Sequence, residues 1–245
     1  DLESKWKGGG PEPMVDKGYV NPDLVWSPHE LYARRNDPNL RIIDVRPTPS
    51  LANEGWIPGA IHFDLFGISL SNTAPEPLEA FMWMIEHLFE ARGVNLDTPV
   101  VFYEGGTGMR AARGFWFLEY SGHGDVHVLD GGFDAWKAAS FPISREMQVL
   151  RGTTFRPRPR LEIHWSADEV HAHLHDPNLA VIDTRTDDEY FGKSVRAARG
   201  GTIPGAIHLE WVNNLGQDGA FKTGAELRAM YEACGITPDK TCVSF

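Results

Sequence analysis

The chain has 245 residues, of which 42% are hydrophobic and 23% charged, enough for one large or two ordinary globular domains. Its net charge of −11 argues against a general nucleic-acid binder or a polybasic membrane surface. No apolar run reaches the roughly 18 residues that a membrane span needs. Cys234 and Cys242 form neither a disulfide framework nor a zinc site. We expect no metal or cofactor, and prefer a cytoplasmic location over an extracytoplasmic one.

The predicted elements begin after a polar, Gly- and Pro-rich stretch, residues 1–19, which is typical of a flexible arm. Ser27 predicts the N-cap of a short amphipathic helix. An apolar strand that ends in Asp-x-Arg follows, and a loop then leads to IPGAIH at 57–62. A longer helix over 78–92 precedes the apolar strand PVVFY at 99–103. Short apolar strands that alternate with helices indicate an α/β fold with a mostly parallel sheet covered on both faces.

The strand at 99–103 leads into EGGTGMRAARG, a glycine-rich turn followed by an amphipathic helix. Such a loop directs backbone N–H groups at one point, which suits an anion or a thiolate. Another strand, VHVL, and the segment GGFDAW complete this unit. In open α/β sheets this edge is also where ligands bind.

The same series of elements returns in the second half of the chain. WSPHEL at 26–31 returns as WSADEV at 165–170, and DPNLRIIDVR at 37–46 returns as DPNLAVIDTR at 176–185. IPGAIH recurs unchanged at 203–208, and GVNLDTPVVFY matches the final residues, GITPDKTCVSF. Ordered matches of this kind predict two copies of one structural unit.

We therefore predict two tandem domains, 20–146 and 162–245, joined by an extended linker over 147–161 that contains two prolines. The second copy stops after a strand at 241–245, which we expect to be buried, so this domain is incomplete in the chain. A domain that ends after this strand leaves apolar sheet surface uncovered, and we therefore expect residues 162–245 not to fold compactly alone.

The Asp-x-Arg strand end, the Ile-Pro-Gly-Ala segment, the strand–loop–helix and GGFDAW together resemble the rhodanese domain. Two of them in tandem are similar to thiosulfate and 3-mercaptopyruvate sulfurtransferases, and the resemblance covers roughly residues 20–245. It implies a nucleophilic cysteine directly after the loop-entering strand of the C-terminal domain. That cysteine takes a sulfane sulfur from a small anionic donor as a persulfide and passes it to a thiol or cyanide.

In the first copy the corresponding residue is Glu104, and a carboxylate cannot carry a persulfide. The resemblance therefore implies a catalytically silent first domain, whose loop keeps its shape because Arg110 still follows. The two copies of this strand are offset by 142 residues, from Gly93 to Gly235. This offset carries Glu104 to the position directly after Phe245, so no residue within the chain is the nucleophile. We expect cysteine there, in a remainder of the second domain that belongs to the same polypeptide or to a complementary fragment.

Three arginines of the second copy are candidates for binding the anionic sulfur donor. Arg185 ends the Asp-x-Arg strand, although the presence of Arg46 in the silent copy equally favours a structural role. Arg196 and Arg199 lie in a segment that the first copy lacks, where the resemblance implies substrate-binding basic residues. Lys193 is a weaker member of the set.

Glu189 stands where the resemblance implies arginine in mercaptopyruvate-type enzymes. A carboxylate there repels that donor's carboxylate, so we prefer thiosulfate as donor, with 3-mercaptopyruvate as the alternative. Cys234 and Cys242 are expected to be inert, and His62 and His208, which recur in both copies, to be structural. The competing classes are a non-catalytic rhodanese-like module that binds a partner or senses sulfur, and a phosphatase of related fold.

Overall fold

The computed structural model describes residues 16–65, 67–70, 72–146, 148 and 151–245. Most of the expected N-terminal arm, 1–15, therefore lies outside the described residues. The first unit contains β1 (Val25–Trp26), α1 (Pro28–Arg34), β2 (Arg41–Asp44), α2 (Thr48–Glu54), β3 (Ala60–His62), α3 (Pro75–Glu90), β4 (Val100–Tyr103), α4 (Met109–Tyr120), β5 (Val126–Leu129) and α5 (Gly132–Ala138). The second contains α6 (Ala167–His173), β6 (Leu179–Asp183), α7 (Asp187–Tyr190), β7 (Ile207–His208), α8 (Gly224–Ala233) and β8 (Thr241–Ser244). Short 3-10 helices lie at Pro22–Leu24, Leu161–Ile163 and Trp211–Asn214.

Both units begin with the predicted helix, and the two helices are capped in the same way. The side chains of Ser27 and Ser166 each accept a hydrogen bond from the N–H of a glutamate in the first turn, and that glutamate accepts one from the serine N–H. This reciprocal capping box fixes the start of α1 and of α6. The long helix α3 starts at Pro75, earlier than the predicted 78–92, because proline suits the first turn of a helix.

The first sheet has five parallel strands in the order β1-β5-β4-β2-β3. Its central strand β4 is buried over its whole length, and successive side chains face opposite sides. Val100 and Phe102 pack with residues of α3 and α4, whereas Val101 and Tyr103 pack with residues of α1 and α5. The predicted parallel sheet with helices on both faces is confirmed here.

The second sheet has three parallel strands in the order β7-β6-β8. Val181 packs towards α6, and Ala180 and Ile182 pack towards α8. Strand β8 lies at the sheet edge and is mostly exposed, so the prediction of a buried strand there is wrong. Its counterpart β4 is covered by β5, α4 and α5, and the described residues contain no counterparts of these three elements.

The linker lies along the surface of the first domain. Phe155 is 5% exposed and packs in the core beside α3. The N–H groups of Arg158 and Arg160 donate to the carbonyl oxygens of Ser121 and Tyr120, at 2.8 and 2.7 Å. The described part of the linker is therefore packed against the first domain.

Neither a membrane-spanning helix nor a metal cluster is found in the part of the chain that the structure describes. No helix there is long and apolar enough to cross a membrane. No group of three or more His, Cys, Asp or Glu side chains among these residues is arranged to hold a metal ion.

Candidate active site

The loop after β4 surrounds the carboxylate of Glu104, the first residue beyond the strand. Its Oε1 accepts hydrogen bonds from the N–H groups of Arg110 (2.8 Å) and Ala111 (3.1 Å), and its Oε2 lies 3.1 Å from the Arg110 guanidinium. Both N–H groups belong to the first turn of α4, where backbone amides lack partners within the helix. Because Glu104 is only 7% exposed, its charge is balanced by the helix end and the arginine.

Two glycines allow this loop to close tightly. A Cβ on Gly108 would lie 2.7 Å from Glu104 Oε1. A Cβ on Gly132, where φ is +56°, would lie 2.5 Å from the carbonyl oxygens of Glu104 and Gly106. Helix α5 begins against the loop, since Phe133 N–H donates to Glu104 O at 2.8 Å. The GGFDAW segment therefore closes the loop from its far side.

The loop of the first domain is thus a site for a negatively charged group, and the domain's own side chain occupies it. A carboxylate accepts the same N–H hydrogen bonds that a thiolate accepts, but it has no sulfur to transfer. Glu104 and Arg110 contact each other where this loop meets α4. The catalytic silence of the domain stays a prediction.

At the matching edge of the second sheet, Arg185 holds the fully buried Asp183. Its Nε and Nη2 donate to the two carboxylate oxygens at 2.9 and 2.6 Å, and Nη2 also donates to Gly201 O. Burial opposes ionisation of Asp183, but hydrogen bonds from Arg185 and Thr202 outweigh it and keep its pKa below the usual value. The Arg185 side chain is 34% exposed, whereas that of Arg46 is 3% exposed. The structural role of Arg185 is visible, and its role in donor binding stays a prediction.

The buried aspartates of the two domains receive a hydroxyl hydrogen bond from different residues. In the first domain Tyr103, at the end of β4, donates its Oη to Asp44 Oδ2 at 2.6 Å. Its counterpart Phe245 has no hydroxyl, and Thr202 Oγ1 instead donates to Asp183 Oδ2 at 2.7 Å. This role of Thr202 was not predicted from the sequence. The sequence signal for this role is the change from Tyr103 to Phe245, which removes the hydroxyl at the end of an otherwise matching strand.

The two strand ends have the same register. Thr184 donates its N–H and its Oγ1 to Phe245 O, at 3.0 and 2.8 Å. In the first domain Val45 N–H donates to Tyr103 O at 2.9 Å. A residue that follows Phe245 therefore takes the place that Glu104 takes in the first domain.

The other predicted donor-binding residues lie on an exposed segment. Arg196 Nε lies 3.0 Å from Glu189 Oε1, although 77% of the arginine side chain is exposed. Glu189 also accepts a hydrogen bond from Thr186, and this bond, aided by Arg196, lowers the pKa of the carboxyl. Arg199 and Lys193 are exposed. The negative charge of Glu189 is thus balanced, which weakens the repulsion on which the preference for thiosulfate depends.

The two cysteines and the two histidines that recur in both copies occupy places typical of structural residues. Both cysteines are free, with Cys234 half-buried and Cys242 exposed. The Nε2 atoms of His62 and His208 each lie 2.9 Å from the carbonyl oxygen of the arginine that follows the preceding strand. This shared contact supports the structural role predicted for both histidines.

Comparisons with known proteins agree with this geometry. A family model for the rhodanese-like domain matches residues 27–139 and again 166–243. The chain is similar to a thiosulfate sulfurtransferase of Azotobacter vinelandii, with 34% identity over 90% of this chain and 81% of the relative. It is also similar to the sulfur carrier protein TtuD of Thermus thermophilus, with 30% identity over 93% of this chain and 84% of the relative.

A solved structure shows the same architecture. SseA from Escherichia coli, described as a 3-mercaptopyruvate sulfotransferase, matches with a TM-score of 0.76 and 25% identity. The match covers 90% of this chain and 87% of that one. Because the family pattern occurs twice and these relatives match along most of their length, the chain belongs to the rhodanese family, with two rhodanese-like domains in tandem.

Proposed function

We propose that this protein is a sulfurtransferase that moves a sulfane sulfur from thiosulfate to a thiol or cyanide, with a cysteine directly after Phe245 as the nucleophile. The observation that carries the proposal is the loop around Glu104, where helix N–H groups converge on the residue after the strand. Strand β8 ends in the same register as β4. The thiosulfate sulfurtransferase of Azotobacter vinelandii adds support.

The proposed reaction consists of two displacements at sulfur. The cysteine thiolate attacks the outer sulfur of thiosulfate, the S–S bond breaks, and sulfite leaves with the bonding electrons. A thiolate or cyanide then attacks the outer sulfur of the persulfide, the second S–S bond breaks, and the cysteine thiolate is regenerated. N–H groups at a helix start stabilise the negative sulfur in both steps.

Arg185, Arg196 and Arg199 are proposed to attract and hold the anionic donor. The Arg185 guanidinium lies 5.1 Å from the centre of the Phe245 ring, which brings its exposed part close to the proposed nucleophile. Arg196 already pairs with Glu189, so a donor anion competes with this carboxylate. An arginine that exchanges one anion for another can bind the donor and still release its product.

A remainder of the second domain is proposed as the structural partner of β8. An apolar cavity of about 930 Å³ lies beside the strand, and its lining includes Trp116, Trp165 and Val243. The first-domain counterparts of Trp165 and Val243 pack against Phe133 and Trp136 of α5. We therefore expect the counterpart of α5 to fill this cavity, in the same polypeptide or in a complementary fragment.

The test combines the sequence beyond Phe245 with a mass measurement. We expect cysteine directly after Phe245, and incubation with thiosulfate to increase the intact mass by one sulfur atom, which cyanide removes. Replacing that cysteine with serine abolishes both effects, whereas Cys242→Ser, the matched control, retains them. Another residue at this place, or an unchanged mass, would refute the proposal and favour a non-catalytic module.

The choice of donor is tested separately, because SseA is described as acting in the mercaptopyruvate class. Turnover with thiosulfate and with 3-mercaptopyruvate is compared at equal concentrations, with cyanide as the acceptor. We expect thiosulfate to give the higher kcat/KM. The reverse order would show that the balanced charge of Glu189 does not exclude a carboxylate donor.

A further inference from the structure

The two domains meet where a hairpin turn of the second lies on the carboxyl edge of the first sheet. This turn, residues 215–221, is closed by an isolated antiparallel bridge between Leu215 and Phe221. Gly216 N–H donates to Ala220 O at 2.8 Å, which tightens it further. A turn of this kind is a compact unit that can be held from outside by a few hydrogen bonds.

Asp130, directly after β5, is the main contact of the first domain with this turn. Its Oδ1 accepts a hydrogen bond from Phe221 N–H at 2.7 Å, and its Oδ2 pairs with the ammonium of Lys17. The same ammonium donates to Phe221 O at 2.6 Å. From the loop after β4, Thr107 N–H donates to Gly219 O at 3.2 Å. Since Asp130 is 8% exposed, little water competes for these bonds.

The N-terminal segment holds the residues that directly follow the turn. Gly224 N–H donates to Lys17 O at 2.7 Å, and Tyr19 Oη donates to Lys222 O at 2.8 Å. Burial, with the negative charge of Asp130 nearby, raises the pKa of Tyr19 to about 12. Tyr19 therefore remains a hydrogen-bond donor at all physiological pH values.

Hydrogen bonds connect the turn to the end of β8. The 3-10 helix Trp211–Asn214 directly precedes the turn, and Trp211 N–H donates to Thr184 O at 3.0 Å. Thr184 in turn donates its N–H and Oγ1 to Phe245 O. Phe245 is the residue before the proposed nucleophile, so the position of the turn bears on the position of that nucleophile.

We propose that the carboxyl edge of the first domain, acting mainly through Asp130, positions the catalytic edge of the second by holding the turn at 215–221. In an active domain this edge must stay open for substrate. Here Glu104 fills the anion site, so the edge is free to bind a protein segment. Asp130 is a positioning residue because it contacts the turn and not the reacting atoms. Its effect on turnover rests on the proposed function.

Three variants, made in the protein together with the residues that follow Phe245, test this role. Asp130→Ala removes all contacts of the carboxylate, and Asp130→Asn keeps an acceptor for Phe221 N–H but loses the charge that pairs with Lys17. Asp97→Asn removes the same charge from an exposed site of the same domain and serves as the control.

The first measurement is amide hydrogen exchange, which does not depend on activity. In Asp130→Ala we expect exchange over 215–222 to be at least about tenfold faster, because a buried hydrogen bond to a charged group is lost. The exchange rate over 215–222 in Asp130→Asn should lie between the rates of Asp130→Ala and the wild type, and the control variant should exchange at the wild-type rate. Unchanged exchange in β4 shows that the first domain remains folded. Unchanged exchange over 215–222 in Asp130→Ala would overturn the proposal.

The second measurement is steady-state kinetics with thiosulfate. We expect KM to rise about tenfold in Asp130→Ala with a much smaller change in kcat, since a displaced edge weakens donor binding most. Faster exchange without a change in KM would overturn the positioning role. A wild type that exchanges slowly over 215–222 but transfers no sulfur would refute the proposed function, and the positioning role with it.

Discussion

The hydroxyl of Thr202 is expected to stabilise the second domain through a single hydrogen bond. Thr202→Val keeps the shape of the side chain and removes the donor that lies 2.7 Å from Asp183 Oδ2. Asp183 is fully buried, so water cannot replace the lost bond. Hydrogen bonds to charged groups contribute about 1.5–3 kcal/mol to stability, and we expect the free energy of unfolding to fall by this amount.

The first domain suggests a rescue of this loss. Tyr103 donates the corresponding hydrogen bond from the end of β4. Its counterpart Phe245 lies at the matching strand end, with its ring 5.1 Å from the guanidinium of Arg185, which holds Asp183. We therefore expect a hydroxyl on this ring to reach Asp183. In the Thr202→Val background, Phe245→Tyr should restore at least about half of the lost stability. In the wild type, where Thr202 already donates this hydrogen bond, Phe245→Tyr should increase the free energy of unfolding by much less.

Urea unfolding, followed by tryptophan fluorescence in the single and double variants, provides the four values of the cycle. Thr241→Val is a matched control, because Thr241 is exposed at the start of β8. It should change the free energy of unfolding by less than about 0.5 kcal/mol. If Thr202→Val changed it as little as the control, or if Phe245→Tyr stabilised both backgrounds equally, the assignment of this hydrogen bond would be wrong.

Three further outcomes are expected. Burial lowers the pKa of His123 below its ordinary value, so this imidazole protonates more readily in the unfolded state. Its contribution to stability should therefore be constant above about pH 6.5 and decrease below it, and His123→Gln should flatten the fall in stability below about pH 6.5 in urea titrations. A variant with the wild-type slope would contradict this. Glu104→Ala empties the anion site of the first domain, so thiosulfate should raise the melting temperature of this variant by more than that of the wild type, which binds the donor only in the second domain; equal shifts would count against an anion site in the first domain. Residues 162–245 alone should show no cooperative calorimetric transition, because β8 is exposed; a sharp peak would disprove this.

The sequence predicted those parts of the fold that depend on neighbouring residues. The serine caps, the strand–helix alternation and the loop after β4 are set by local propensity and hydrophobic pattern. The burial of β8 was predicted wrongly because the burial of a strand depends on elements far along the chain. Residue types such as Val243 predict a strand, but they do not show whether another strand covers its edge.

The candidate site could be predicted only where the first copy serves as a template for the second. The glycine-rich segment after β4 and the family resemblance predicted that Glu104 and Arg110 belong to one loop region, and the two side chains are in contact in the structure. Thr202 and Asp130 were missed because their partners are distant in sequence, and no local pattern predicts such contacts. For Thr202 the change from Tyr103 to Phe245 was a usable signal, whereas the contacts of Asp130 with the turn have no counterpart among the described residues of the first copy.

The duplication separates structural from functional residues within a single chain. Residues that recur with the same contacts, such as Asp44 and Asp183, stabilise the fold in both domains and need no catalytic explanation. Positions where the copies differ fall into two kinds. Thr202 compensates for a lost hydroxyl, so this difference preserves structure. Glu104 occupies an anion site, and with the proposed cysteine at the matching position of the second domain the two copies would differ in chemistry, so sulfur transfer is expected at that position.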